Sequence, residues 1–214
     1  MQSKFWDKRA KKYEEKATQH GPKYLKTIGS TLRLLTEADV VLDIGCGSGE
    51  ICFDMATKVA RMEGVDTSGV MIEMANQKAR YRKLHNVSFT QADIFDSSFH
   101  EGAYSVVTVF NMLHLVEDMS GIMERIYRLL SPGGLFISET PCLQEQKWIF
   151  RKLVGFAQIT GLAPPIKSLK FNEVSQLMES SGFEIIEDEL WDLGDAVQRV
   201  VARKPEQLSY IKAT

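Results

Sequence analysis

Apolar and polar positions alternate in two rhythms along this chain. The segment Val40–Ile44 is apolar except for Asp43, and Gly45, Gly47 and Gly49 follow at alternate positions. An apolar run of that length ended by glycines predicts a buried strand entering a tight turn. Ile51, Phe53, Met55 and Ala56 then begin a helix. Arg61–Val65, Val87–Gln91, Tyr104–Phe110 and Leu135–Ser138 predict four further strands. Tyr104–Phe110 is largely apolar throughout, as suits a strand covered on both faces of a parallel sheet. Helical spacing separates the strands. Val70, Met71, Met74, Ala75 and Ala79 share one face, and Met119, Ile122, Met123, Ile126 and Leu130 share another behind Asp118, a predicted N-cap.

The two ends extend this alternation. Trp6, Ala10, Tyr13 and Ala17 predict one helix over Phe5–Ala17, broken by His20-Gly21-Pro22. Leu25, Ile28, Leu32 and Leu35 predict the apolar face of a second. Near the other end, Gln144–Ala157 has helical spacing with the bulky Trp148, Ile149, Leu153 and Phe156, and Thr160–Pro165 breaks it. Phe171–Ser181 predicts a helix capped by Asn172 and ended by Gly182. Phe183–Leu190 and Ala196–Arg203 predict a closing antiparallel hairpin turning at 192–195, and the tail after Lys204 is expected to be mobile. The expected architecture is an α/β doubly wound, mostly parallel sheet of seven strands with a C-terminal antiparallel hairpin, in one domain over 1–214.

Composition narrows the function only slightly. With 214 residues, 44% hydrophobic and 25% charged, the chain is an ordinary globular sequence. A net charge of −2 gives no sign of a nucleic-acid binder. Cys46, Cys52 and Cys142 fit no zinc spacing and are expected as free thiols. No metal is expected. Neither an apolar leader nor a run of roughly 18 apolar residues is present, so a cytoplasmic location without a membrane span is expected. The oligomeric state is not legible.

The glycine turn carries the first chemical signal. A strand, a glycine turn and a helix together suit a polar or anionic ligand, because the turn can offer backbone N–H groups. Glycine lets a ligand approach and permits positive φ. Asp66 lies 21 positions after Gly45, at the end of the next strand. A carboxylate there can accept both hydroxyls of a ribose, or it can cap the helix that follows.

Asp43-Ile44-Gly45-Cys46-Gly47-Ser48-Gly49 resembles the first motif of class I S-adenosylmethionine-dependent methyltransferases. Asp66-Thr67-Ser68 with Met71 and Ala75 is similar to the second motif, and Leu130-Ser131-Pro132-Gly133-Gly134 to the hallmark before the fifth strand. Phe5-Trp6-Asp7 with Ala10 and Tyr13 resembles the N-terminal segment of the quinone and small-molecule branch. The resemblance implies S-adenosylmethionine as cofactor, S-adenosylhomocysteine as product and a small-molecule acceptor. It implies that Gly45, Cys46, Gly47 and Gly49 meet the methionine portion, with Asp43 helping to place its ammonium end. It further implies Asp66 at the ribose, Thr67 and Met71 among the cofactor contacts, Asp93 and Ile94 at the adenine, and Tyr13 closing over the cofactor within a helical lid over 1–36. Asn111 falls where a strand end meets the ligand. His114 is the candidate general base, its side chain titrating ordinarily near neutrality. A cap over 143–170 is expected to shape the acceptor pocket, with His114, Trp148 and Phe156 as substrate contacts. Trp148 and Phe156 can equally be read as cover for the sheet.

Two other readings remain. An NAD-dependent oxidoreductase also uses a glycine turn, although it wants Gly-x-Gly-x-x-Gly, and this chain has Gly-x-Gly-x-Gly. A non-catalytic protein that keeps the fold as a sensor or partner subunit is the second.

Overall fold

A computed structural model describes residues 2–160, 162–192 and 195–206. The predicted turn at 192–195 therefore has its central pair outside the described residues, as does most of the tail. The elements run α1 (Gln2–Asp7), α2 (Ala10–Ala17), α3 (Pro22–Leu32), β1 (Val40–Ile44), α4 (Glu50–Ala56), β2 (Arg61–Asp66), α5 (Gly69–Arg82), β3 (Val87–Gln91) and β4 (Tyr104–Phe110). They continue with α6 (Met119–Leu129), β5 (Leu130–Pro141), α7 (Trp148–Ile159), α8 (Glu173–Ser180), β6 (Glu184–Asp192) and β7 (Ala196–Arg203).

The strands form one sheet in the order β3-β2-β1-β4-β5-β7-β6. The first five pair in parallel, and β7 lies antiparallel to both β5 and β6. Alternation along β1 sends Val41 to one face, and Leu42 and Ile44 to the other. On the first face Val41 joins Phe53 and Met55 of α4 and Ile72 and Ala75 of α5. On the second, Leu42 joins Met123 and Ile126 of α6 and Val174 and Met178 of α8. Covered on both faces, the central strands leave their carboxyl ends as the place for a ligand.

Several expected boundaries shift for local reasons. The helix expected over Phe5–Ala17 is two helices. Asp7 accepts from Ser68 Oγ at 2.6 Å, which pins α1 against the start of α5, and the chain turns at Lys8-Arg9 before α2 begins. The buried residues of α3 are Thr27, Ile28 and Thr31, while Leu25 is exposed. Beneath that helix lies a buried ion pair, Arg199 Nη1 to Glu139 Oε1 at 2.8 Å. Thr27 donates to Glu139 Oε2 at 2.6 Å and Thr31 Oγ1 accepts from Arg199 at 3.4 Å, so a polar face turns inward. Leu130 already pairs with Tyr104, and Val106 next pairs with Leu135, so the Ser-Pro-Gly-Gly stretch bulges within β5. A Cβ on Gly134 would stand 2.9 Å from the Ser131 carbonyl oxygen, which is why glycine sits there.

The helix expected from Gln144 starts at Trp148, after a short 3-10 turn at Leu143–Glu145. Asn172 precedes α8 in a left-handed conformation (φ 72°) and its side chain makes no cap bond, contrary to the expected cap. Asp118 does cap α6, accepting from Gly121 N–H at 2.9 Å. Ser68, not Asp66, caps α5 by accepting from Met71 N–H. Among the described residues no helix is long and apolar enough to cross a membrane.

Candidate active site

A cavity of about 350 Å³ opens beyond the carboxyl ends of β1 to β5. Its wall brings together Tyr13, Gly45, Gly47, Asp66, Thr67, Met71, Asp93, Ile94, Asn111 and His114. These residues come from seven separate stretches, and the crossover order of the sheet is what makes them neighbours. Phe110, Leu115, Val116, Ile122 and Pro141 make much of the remaining wall apolar.

The glycine turn works by leaving space rather than by offering donors. Gly45 N–H and Cys46 N–H both donate to the Val65 carbonyl, at 2.8 and 3.1 Å. Gly47 N–H donates to Asp66 Oδ2 at 3.0 Å. These three groups bind the turn to β2, which corrects the expectation that they face a ligand. Gly45 and Gly47 have φ of 75° and 53°. A Cβ at Gly47 would meet Tyr13 Cε1 at 3.3 Å, and one at Gly45 would meet Met112 Cγ at 3.0 Å. The cavity floor is bare backbone because side chains there have no room.

Asp66 accepts from the N–H groups of Gly47 and Ser68, one on each oxygen. Each oxygen keeps a lone pair for a further donor. Burial pushes its carboxyl above the usual range, opposed by those two N–H groups. Asp93 Oδ1 accepts from Phe95 N–H at 3.0 Å, which holds the carboxylate at the cavity while Ile94 is buried beside it. Asn111, just past β4, has φ 55° and donates its N–H to the Glu139 carbonyl at 2.8 Å.

The N-terminal helices roof the cavity. Trp6 and Tyr13 line it and meet edge to face at 6.0 Å. Tyr13 is 41% exposed as a residue, but desolvation of its hydroxyl at the cavity, together with Asp43 and Asp66, pushes it up to about 12, so it stays protonated. Lys78 ties α2 to the turn's helix, reaching Glu14 at 2.8 Å and Glu50 at 2.6 Å. Arg82 and His20 also reach Glu50.

Five expected residues are not in this wall. Asp43 is buried behind the turn, accepting from Thr108 Oγ1 at 2.6 Å and Cys52 Sγ at 3.2 Å. Desolvation raises its carboxyl to about 6, with those two donors opposing. Cys46 packs its sulfur against β2, where a Cβ on Gly64 would approach it to 2.9 Å. Gly49 faces inward, and a Cβ there would meet Phe89 Cζ at 2.6 Å. Trp148 and Phe156 are exposed on α7. Their bulk reads as pocket lining, yet α7 turns them outward. Trp148 instead borders a separate groove with Leu143, Arg151 and Ile166.

His114 does line the cavity, with its Nδ1 buried and without a hydrogen-bond partner among the described residues. Burial and the nearby Lys23 push its pKa down to about 4, so the expected titration near neutrality is corrected. Lys167 N–H binds the His114 carbonyl at 2.7 Å, linking the segment after α7 to the cavity. Sequence reasoning missed Val65, Ala92 and Met112 in the wall, and the Glu139–Arg199 pair behind it. Ordinary core residues give no signal of a wall position, but Glu139 at the end of an apolar strand was a visible one.

The parallel strands closed by an antiparallel β7, with a cavity at their carboxyl edge, define a Rossmann-like methyltransferase fold. The chain belongs to the methyltransferase-domain family, whose profile, described as "Methyltransferase domain", matches residues 35–188. It is 32% identical to a demethylmenaquinone methyltransferase of Lactococcus lactis over 97 residues, covering 44% of this chain and 38% of that protein. It is 29% identical to a ubiquinone biosynthesis O-methyltransferase of Saccharophagus degradans, covering 69% of this chain and 64% of that one. The chain thus spans less than two thirds of either relative. Its fold resembles a geranyl diphosphate C-methyltransferase from Streptomyces coelicolor solved with S-adenosyl-L-homocysteine, with a TM-score of 0.67 at 15% identity over 86% of this chain and 81% of that one.

Proposed function

We propose that the chain transfers a methyl group from S-adenosylmethionine to a small, largely apolar acceptor of the quinol or phenol kind. One observation carries this reading. Gly45 and Gly47, Asp66, and Asp93 with Ile94 all face one cavity, roofed by Tyr13. Its size lies at the low end for ligand clefts, suited to one nucleoside-sized ligand. The names of the quinone-methylating relatives favour the acceptor class.

The residues present fit the cofactor. The bare backbone at Gly45 and Gly47 would admit the methionine portion. The remaining lone pairs of Asp66 would accept from ribose hydroxyls, and Asp93 would accept from the adenine amino group beside Ile94. When bound, the cofactor supplies a methyl on a sulfonium cation whose charge is lost as the methyl leaves. The protein's part is alignment and exclusion of water, worth several kcal/mol of barrier for well-held reactants. Trp6 and Tyr13 would close the cavity as part of a lid over 1–36, and the 143–170 cap would bound the acceptor side. His114, neutral at pH 7, would accept the acceptor's O–H proton at a ring nitrogen as transfer proceeds. Its low pKa makes it a weak base, so it acts by orienting the hydroxyl and taking the proton late.

The test is incubation with methyl-labelled S-adenosylmethionine and a panel of quinols and phenols. Label in an acceptor, with equimolar S-adenosylhomocysteine, is expected. Its rate should show no inflection from His114 between pH 5.5 and 8, because the imidazole stays neutral down to about pH 4. Tight cofactor binding without transfer to any acceptor would instead favour the non-catalytic sensor.

A further inference from the structure

The α7 helix exposes a run of large apolar side chains. Trp148, Ile149, Leu153, Phe156 and Ile159 are all exposed, by 64, 56, 62, 65 and 87%, and Leu162 beyond it by 66%. The less exposed positions of the helix are Val154, Gly155, Ala157 and Gln158. At 100° per residue the exposed set occupies one continuous arc of the helix surface. Exposed apolar patches of this extent mark an interaction surface.

Charge says what covers it. From Gln146 to Asn172 there are five basic residues, Lys147, Arg151, Lys152, Lys167 and Lys170, and no acidic one. The N-terminal segment 1–36 has nine Lys and Arg against three Asp and Glu. The rest of the chain, outside 1–36 and 143–170, has twelve against twenty-four. The two basic segments meet: the Arg9 guanidinium donates to the Leu162 carbonyl at 3.3 Å. Lys152 lies over the Trp148 ring at 4.8 Å, within the apolar arc, where a long stem can lift its charge to a headgroup.

We propose that this face docks on an anionic lipid bilayer, with the α7 arc in the interface and the flanking cations on the headgroups. A basic helix bearing Trp, Phe and aliphatic side chains suits that boundary. The aliphatic share, Ile149, Leu153, Ile159 and Leu162, disfavours nucleic acid. The inference deepens the proposed function: the segment that carries α7 also binds the His114 carbonyl through Lys167, so docking sets the acceptor side of the cavity against the bilayer. An apolar acceptor would then enter from lipid.

The test is co-sedimentation of the full chain with vesicles of phosphatidylcholine alone or of phosphatidylcholine mixed with anionic phosphatidylglycerol, whose surface potential attracts basic segments. Binding to the anionic vesicles only, weakened by salt, is expected. Lys147→Glu and Lys152→Glu should each weaken it about fivefold or more. Leu153→Ser with Ile159→Ser, both at exposed positions, should abolish it while circular dichroism stays unchanged. No binding by wild type overturns the inference, as does binding that these variants leave intact. So does a dimer, measured by light scattering, that the serine variant dissociates, because a second copy is then the cover. Calorimetry with S-adenosylhomocysteine on the same samples separates this from the proposed function: a protein that binds the nucleoside but no vesicle keeps the one and loses the other.

Discussion

The glycine turn and α7 treat bulky side chains in opposite ways. Around the turn, Phe89 fills the space beside Gly49 and Gly64 so closely that a Cβ on either would stand 2.6 Å from its ring. On α7, Trp148, Ile149, Leu153, Phe156 and Ile159 are each more than half exposed. The first region is closely packed core behind the cavity wall. The second is a surface whose large apolar side chains are only partly covered. The difference separates the packed wall of the cavity from the apolar surface that the fold leaves exposed.

Substitutions in the two regions should therefore differ in kind. The largest effect is expected at Glu139→Ala, which strands the buried Arg199. Loss of about 3–5 kcal/mol in urea unfolding is expected. A loss below 1 kcal/mol would mean that the sheet beneath α3 is looser than described. Next comes Asp43→Asn, a test of pH. Burial raises the folded carboxyl from 3.8 to about 6, so the folded state binds a proton more tightly than the unfolded one. Asp43 thus costs stability as pH rises from 4 to 6. The variant lacks that cost and should gain on wild type by up to about 3 kcal/mol over this window. A constant difference between pH 4.5 and 7 would contradict the burial. The smallest effect is Leu153→Ser on α7, expected within about 0.5 kcal/mol of wild type in the same unfolding experiment. A larger loss would show that α7 is part of the core.

The sequence made the first region far more legible than the second. Strand and glycine patterns located β1 to β4 and the cavity wall, because a buried parallel strand and a turn without Cβ atoms leave strong local signals. The same patterns could not tell which wall-side atoms face a ligand. Cys46 and Gly49 sit within the motif but face the core, because the Cys46 sulfur packs beside Gly64 and Phe89 fills the space beside Gly49. Asp43 reads as a ligand group, yet Thr108 on the neighbouring strand claims it. His114 was placed correctly at the cavity, while its depressed pKa depends on burial that no local pattern encodes. The bulk of Trp148 and Phe156 suggested an interior, and only the packed fold shows them outside. The polar inner face of α3 was hidden for a related reason, because its partners Glu139 and Arg199 are more than 100 residues away.

The most direct test is calorimetric titration of S-adenosylhomocysteine into the wild-type chain and Asp66→Ala. One site per chain is predicted. Affinity should fall by about ten- to a hundredfold in the variant, as expected for losing hydrogen bonds to a charged group. A folded wild-type protein that takes up no ligand, or an Asp66→Ala affinity equal to wild type, would contradict the reading of this cavity as a cofactor site.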